Sequence, residues 1–186
     1  MIRSFGSVVH QSWVLPALLV AISAISSWEF ACITPFAAFA VIAAYALPTG
    51  AALCTVAGVW LANQAVGFAV LGYPWTLDTA LWGIAIGAAA LLAVVVASAM
   101  LRLEIRNNVV AVGTAFVAAL GAYEGSLSLV TFAVGGRNAF TPAIITHVAL
   151  LNFGWPAALV GTYAILRYTG TISGARTVSP AFPHSQ

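Results

Sequence analysis

ALWGIAIGAAALLAVVVASAML, residues 80–101, carries no charged side chain and stops at the polar segment RLEIRNN, residues 102–108. A run of this length matches the roughly 20 residues that a helix needs to cross a hydrocarbon core about 30 Å thick. Lipid offers no partner to an open backbone, so such a run satisfies its own N–H and C=O groups as a helix. Similar runs flank it at 49–71 and 109–135, and another follows at 142–166. Of the 186 residues 62% are hydrophobic and 5% are charged, and the mean hydropathy is +1.05. Six basic and four acidic side chains give too little solvated surface for a soluble domain of this size. The expected fold is an all-α integral membrane protein.

Residues 8–47 form one further apolar stretch of about 40 residues, interrupted by Ser26-Ser27-Trp28-Glu29 and by Thr34-Pro35. That length suits two crossings with a tight turn near Glu29 better than one over-long helix. Pro16 and Pro35 would then sit in first turns or kink their helices. The expected count is six transmembrane helices; four plus a re-entrant N-terminal hairpin is the alternative. Residues 1–170 read as a single transmembrane domain, and 171–186, rich in Ser, Thr, Gly and Pro, as a short disordered cytoplasmic tail.

All six basic residues are arginines. With six spans and the N-terminus inside, Arg3, Arg102, Arg106, Arg167 and Arg176 fall on the cytoplasmic side and only Arg137 outside, in accord with the positive-inside rule. The expectation is an N-in, C-in, multi-pass protein of the bacterial inner membrane whose first span stays uncleaved.

The residue inventory narrows the function classes. Only His10, His147 and His184 could serve as imidazole ligands, and they are scattered, so no metal site is expected. No nucleophile–base or acid pair stands at helical spacing, which argues against an enzyme. The chain lacks a phosphate loop of the G-x-x-x-x-G-K type, so it does not itself hydrolyse ATP. Without lysine there is no retinal Schiff base. A net charge of +2 without basic clusters gives no reason to expect nucleic acid, and no cofactor is implied.

The assumed topology sends Trp28-Glu29, the run GYPWTLD at 72–78 and Gly135-Gly136-Arg137-Asn138 outward. These residues form either an interfacial aromatic belt or the rim of a pocket for a small amphipathic or zwitterionic solute. Glu124 lies near the middle of the 109–135 run, where a carboxylate is costly and faces a cavity or a partner. Ser128 and Thr131 extend its face, and Gly121 and Gly125 form a small-xxx-small pair that admits another helix. Glu124 reads as a ligand or ion contact, or as a structural group bonded across helices.

Asn63-Gln64 stands in the outer half of the 49–71 run, with Trp60, Asn63 and Gly67 on one face. Adjacent side chains on a helix point about 100° apart, so at most one carboxamide addresses a given cavity, and each reads equally as a solute contact or as a bond to a neighbouring helix. His147, one turn into the last run, reads as ligand contact, proton acceptor or helix–helix bond.

About 190 residues in six spans, with the binding groups under outer loops, resemble the substrate-binding S components of energy-coupling factor transporters, which take up vitamins. In that family a small-xxx-small pattern in the first span docks the coupling T component. Ala17-Leu18-Leu19-Val20-Ala21 matches that pattern, and Ala40-Val41-Ile42-Ala43-Ala44 repeats it. Gly83-Ile84-Ala85-Ile86-Gly87 offers a further contact strip. The resemblance implies a solute captured from outside, a transmembrane coupling subunit and cytosolic ATPases as partners. It nominates Tyr123, Glu124, Ser128, His147 and Arg137 for the pocket, with Trp75 as a lid. Glu124 among aromatics would suit a cationic ring such as thiamine, whereas Arg137 would suit a carboxylate, as for biotin. Two other classes compete. One is an accessory subunit packed into a membrane complex, and the other is a stand-alone proton-coupled carrier using Glu124 and His147.

Overall fold

The computed structural model describes residues 13–29, 34–103 and 105–134, together with the helical positions Thr146, Leu150 and Gly154. The expected last span at 142–166 is therefore met only at those three positions. Arg3, Arg137, His147, Arg167, Arg176 and the tail 171–186 lie outside the described residues.

Among the described residues five helices follow one another: α1 (Val14–Glu29), α2 (Phe36–Ala46), α3 (Thr49–Ala69), α4 (Leu77–Leu101) and α5 (Asn108–Val134). No strand occurs among the described residues. Among the described residues three helices, Thr49–Ala69, Leu77–Leu101 and Asn108–Phe132, are long and apolar enough to cross a membrane. Their bounds fall within a few residues of the apolar runs. At about 1.5 Å per residue, α1 with 16 residues reaches about 24 Å and α2 with 11 about 16 Å, both short of a core about 30 Å thick.

Local chemistry fixes the helix ends. Leu47 is extended (φ −127°, ψ 153°), as a residue before proline prefers, and Pro48 then opens α3. Thr76 caps α4 by accepting from the Thr79 N–H at 3.2 Å, with Asp78 in the first turn facing the positive end of the helix dipole. Asn107 Oδ1 caps α5 by accepting from the N–H groups of Val109 and Val110. Pro16 sits in the first turn of α1 and Pro35 is the N-cap of α2, where neither removes a needed bond. The first helix ends at Glu29, next to the expected turn, and it carries Ser26 and Ser27 within it because Ser26 Oγ donates to Ile22 O at 2.8 Å and Ser27 finds partners across the bundle.

Ser23 Oγ donates to Val59 O, and four residues on Ser27 meets Asn63, so α1 and α3 run parallel side by side. α2 returns antiparallel between them and the later helices, touching α3, α4 and α5. Phe36 through Val41 and Ala43 are all buried, which makes α2 the centre of the bundle. Two small-residue strips proposed as docking faces are consumed by this packing. Ala40 is fully buried and Ala44 half-buried, so the second A-x-x-x-A faces the chain's own helices. Gly83 and Gly87 are buried against α3. Ala17 and Ala21, in contrast, lie exposed on α1.

Candidate solute-binding site

Two thirds of the way along α3, Asn63 ties three helices together. Its Nδ2 group donates to Ser27 Oγ at 3.0 Å and to Thr34 Oγ1 at 2.9 Å, and those two hydroxyls lie 3.0 Å from one another. Its Oδ1 accepts from Gln64 Nε2 at 3.1 Å. Asn63 is 3% exposed, and a carboxamide at that depth has to spend both donors and its acceptor inside the protein. Asn63, which the sequence leaves open between a cavity contact and a bond to a neighbouring helix, here spends its carboxamide on bonds within the protein. Its neighbour Gln64 keeps that bond through Nε2 and directs its Oε1 towards Gly83 on α4.

Gln64 lines an open cavity of about 440 Å³ between α3 and α4 at their loop end. Trp60, Gln64 and Phe68 form one wall at i, i+4 and i+8 on α3, Gly83 and Ile84 stand opposite, and Trp75 lies at the mouth. Trp60 belongs to this ladder rather than to the Asn63 face. Its indole Nε1 donates to Gly83 O at 2.8 Å, and its ring comes within 2.7 Å of where a Cβ on Gly87 would be. Gln64 Oε1 lies 2.7 Å from the corresponding position on Gly83. Glycine at 87 leaves room for the rigid indole, and glycine at 83 for the present position of the flexible Gln64 side chain.

Trp75 is 85% exposed yet not adrift: its ring stacks on Phe68 with centroids 4.4 Å apart and planes tilted by 30°. Tyr73 meets the same Phe68 edge-on at 6.4 Å. The loop returns tightly through Gly72, whose φ of +69° suits a residue without a Cβ. An aromatic trio over an uncharged, mostly apolar cavity can stack a planar ring, while Gln64 supplies one polar contact.

The α5 candidates lie elsewhere. Tyr123 is buried and packs against Phe36 at 5.9 Å, so Tyr123 and Asn63 grip the start of α2 from its two sides. Glu124 is half-buried, and its Oε1 is sealed from solvent with no hydrogen-bond partner among the described residues. Ser128 is half-buried, and its carbonyl accepts from Thr131 Oγ1 at 2.6 Å. None of the three lines the α3–α4 cavity. The expected pocket thus separates into an aromatic cavity with Trp75 and a carboxylate on α5. Arg137 and His147 lie outside the described residues. Sequence reasoning missed Trp60, Gln64 and Phe68 as a group, although their fourfold spacing is the signal that joins them.

No family model matches the chain, and no curated protein or solved structure is similar to it.

Proposed function

We propose that this chain is the solute-binding integral membrane subunit of an ATP-driven uptake transporter for a vitamin or similar cofactor precursor, resembling the S components of energy-coupling factor systems. It crosses the bacterial inner membrane six times with both termini inside. The observation that carries this reading is the α3–α4 cavity, walled by Trp60, Gln64 and Phe68 and fronted by Trp75. The exposed Ala17 and Ala21 give a coupling subunit a place to approach closely. Glu124, with a buried oxygen that lacks a partner among the described residues, does not line that cavity and is given no contact with a solute bound there.

The test is a thermal-shift screen of the purified chain against vitamins and related precursors. A ligand at 100 times its Kd stabilises by about 2.7 kcal/mol, and Trp75→Ala should abolish most of that gain. Glu124→Gln, a change outside this cavity, should leave that gain unaffected. A screen without any stabilising compound, and no small molecule co-purifying in native mass spectrometry, would overturn the proposal.

A second reading has its own support. Gly113, Gly121 and Gly125 have open space beside them on α5, a face suited to another subunit's helix. An accessory subunit of a membrane complex would use that face and bind no solute, so the same screen separates the two.

A further inference from the structure

At the opposite end of the bundle, the Leu47–Pro48 corner, the start of α3, the end of α4 and the start of α5 surround a second cavity of about 380 Å³. Ser98 lines it, is 7% exposed, and has an Oγ sealed from solvent without a hydrogen-bond partner among the described residues. Other hydroxyls in these helices settle on the carbonyl four residues back: Ser26 on Ile22, Thr55 on Ala51 and Thr114 on Val110. Ser98 makes no such bond. A buried hydroxyl left unpaired is costly, and the cavity beside it is where a partner would stand.

Two further features share this cavity. α3 is 21 residues long and begins at Pro48–Thr49 without a side-chain cap, so the first-turn N–H groups have no acceptor inside their own helix. Gly50 leaves open space there. Arg102, one turn beyond Ser98, reaches over this start and donates Nη2 to Thr49 Oγ1 at 3.3 Å, which leaves other guanidinium N–H groups for a ligand. Carbonyls at the end of α4 that would repel an anion are already engaged: Ala99 O accepts from the Arg102 N–H, and Met100 O from those of Arg102 and Leu103.

We propose that Ser98, Arg102 and the open start of α3 form a binding site for a phosphate group, and that the phosphate belongs to an anionic lipid headgroup. A helix N-terminus supplies N–H donors and a positive dipole end, an arginine supplies a charged fork, and the serine hydroxyl adds a neutral donor. Leu47, Leu101, Leu103 and Ile105 also line the cavity, and it lies at one end of the membrane-length helices. A headgroup can enter while its acyl chains stay alongside the bundle.

The full chain, purified in micelles doped with phosphatidylglycerol or phosphatidylcholine, is examined by native mass spectrometry. Thermal shift is measured in parallel with inorganic phosphate against chloride at equal ionic strength. The wild type should retain phosphatidylglycerol over phosphatidylcholine, and Ser98→Ala should reduce that retention about tenfold without any change in charge. In micelles free of anionic lipid the same variant should melt no lower than the wild type, since it removes an unpaired hydroxyl. Arg102→Gln should erase the preference between the two lipids. Equal retention of both lipids by the wild type, or undiminished phosphatidylglycerol on Ser98→Ala, overturns the proposal. Stabilisation by inorganic phosphate that Ser98→Ala abolishes, without lipid preference, supports the phosphate site and overturns lipid as its source.

Discussion

Gly83-xxx-Gly87 on α4 and Gly121-xxx-Gly125 on α5 share one sequence pattern, and the protein uses them oppositely. The α4 pair is buried, with the Trp60 ring filling the groove at Gly87 and Gln64 the one at Gly83. The α5 pair has nothing within 4 Å of either position among the described residues. A small-xxx-small motif therefore marks a groove without saying who fills it. The largest expected effect comes from filling the occupied groove. Gly87→Ala drives a Cβ to 2.7 Å of a rigid indole that is also held by its bond to Gly83 O. Overpacking of this kind costs about 3 kcal/mol, and the better helix propensity of alanine offsets about 1 kcal/mol. A loss near 2 kcal/mol in the unfolding free energy of the purified chain is expected; an unchanged value would break the comparison.

Next comes the polar tie that presses α1 and α2 onto α3 beside that seam. Asn63→Ala removes two donors from Ser27 and Thr34 and the acceptor of Gln64. The two hydroxyls still pair with each other, so the expected cost is about 1–2 kcal/mol, at the upper end for polar contacts between membrane helices. Gly83→Ala should cost less, about 1 kcal/mol. Its Cβ meets only the tip of the flexible Gln64 side chain, which can swing aside. The swing reorients the polar contact in the cavity, so solute affinity should fall more than stability does.

Length and hydropathy were enough to place α3, α4 and α5, because a run of apolar residues in lipid has one backbone solution. The α1–α2 hairpin was harder. Ser26 and Ser27 look like a break in a hydropathy profile, yet one bonds its own helix and the other bonds Thr34 and Asn63. The division of labour between Asn63 and Gln64 followed from helical geometry, but which of them faces the cavity depends on where α1 and α2 lie. Faces were the least legible feature. α2 is apolar on every side, and nothing in Ala40 distinguishes it from Ala17, although one is fully buried and the other exposed. A helix without a polar stripe does not announce its inward face.

The smallest effect, and the sharpest test of the comparison, belongs to the open groove. Gly121→Ala and Gly125→Ala place a methyl group where no atom stands within 4 Å. In the isolated chain each should be neutral or stabilising by up to about 1 kcal/mol, because alanine favours the helix that glycine weakens. In the assembled transporter or complex the same methyl groups would hold a partner helix off, so co-purification of a partner should fall while the chain itself stays folded. If either variant destabilises the isolated chain by more than 1 kcal/mol, the α5 groove is already occupied within this protein. The two glycine pairs would then be alike, and the approach of a second subunit would fall to Ala17 and Ala21 on α1.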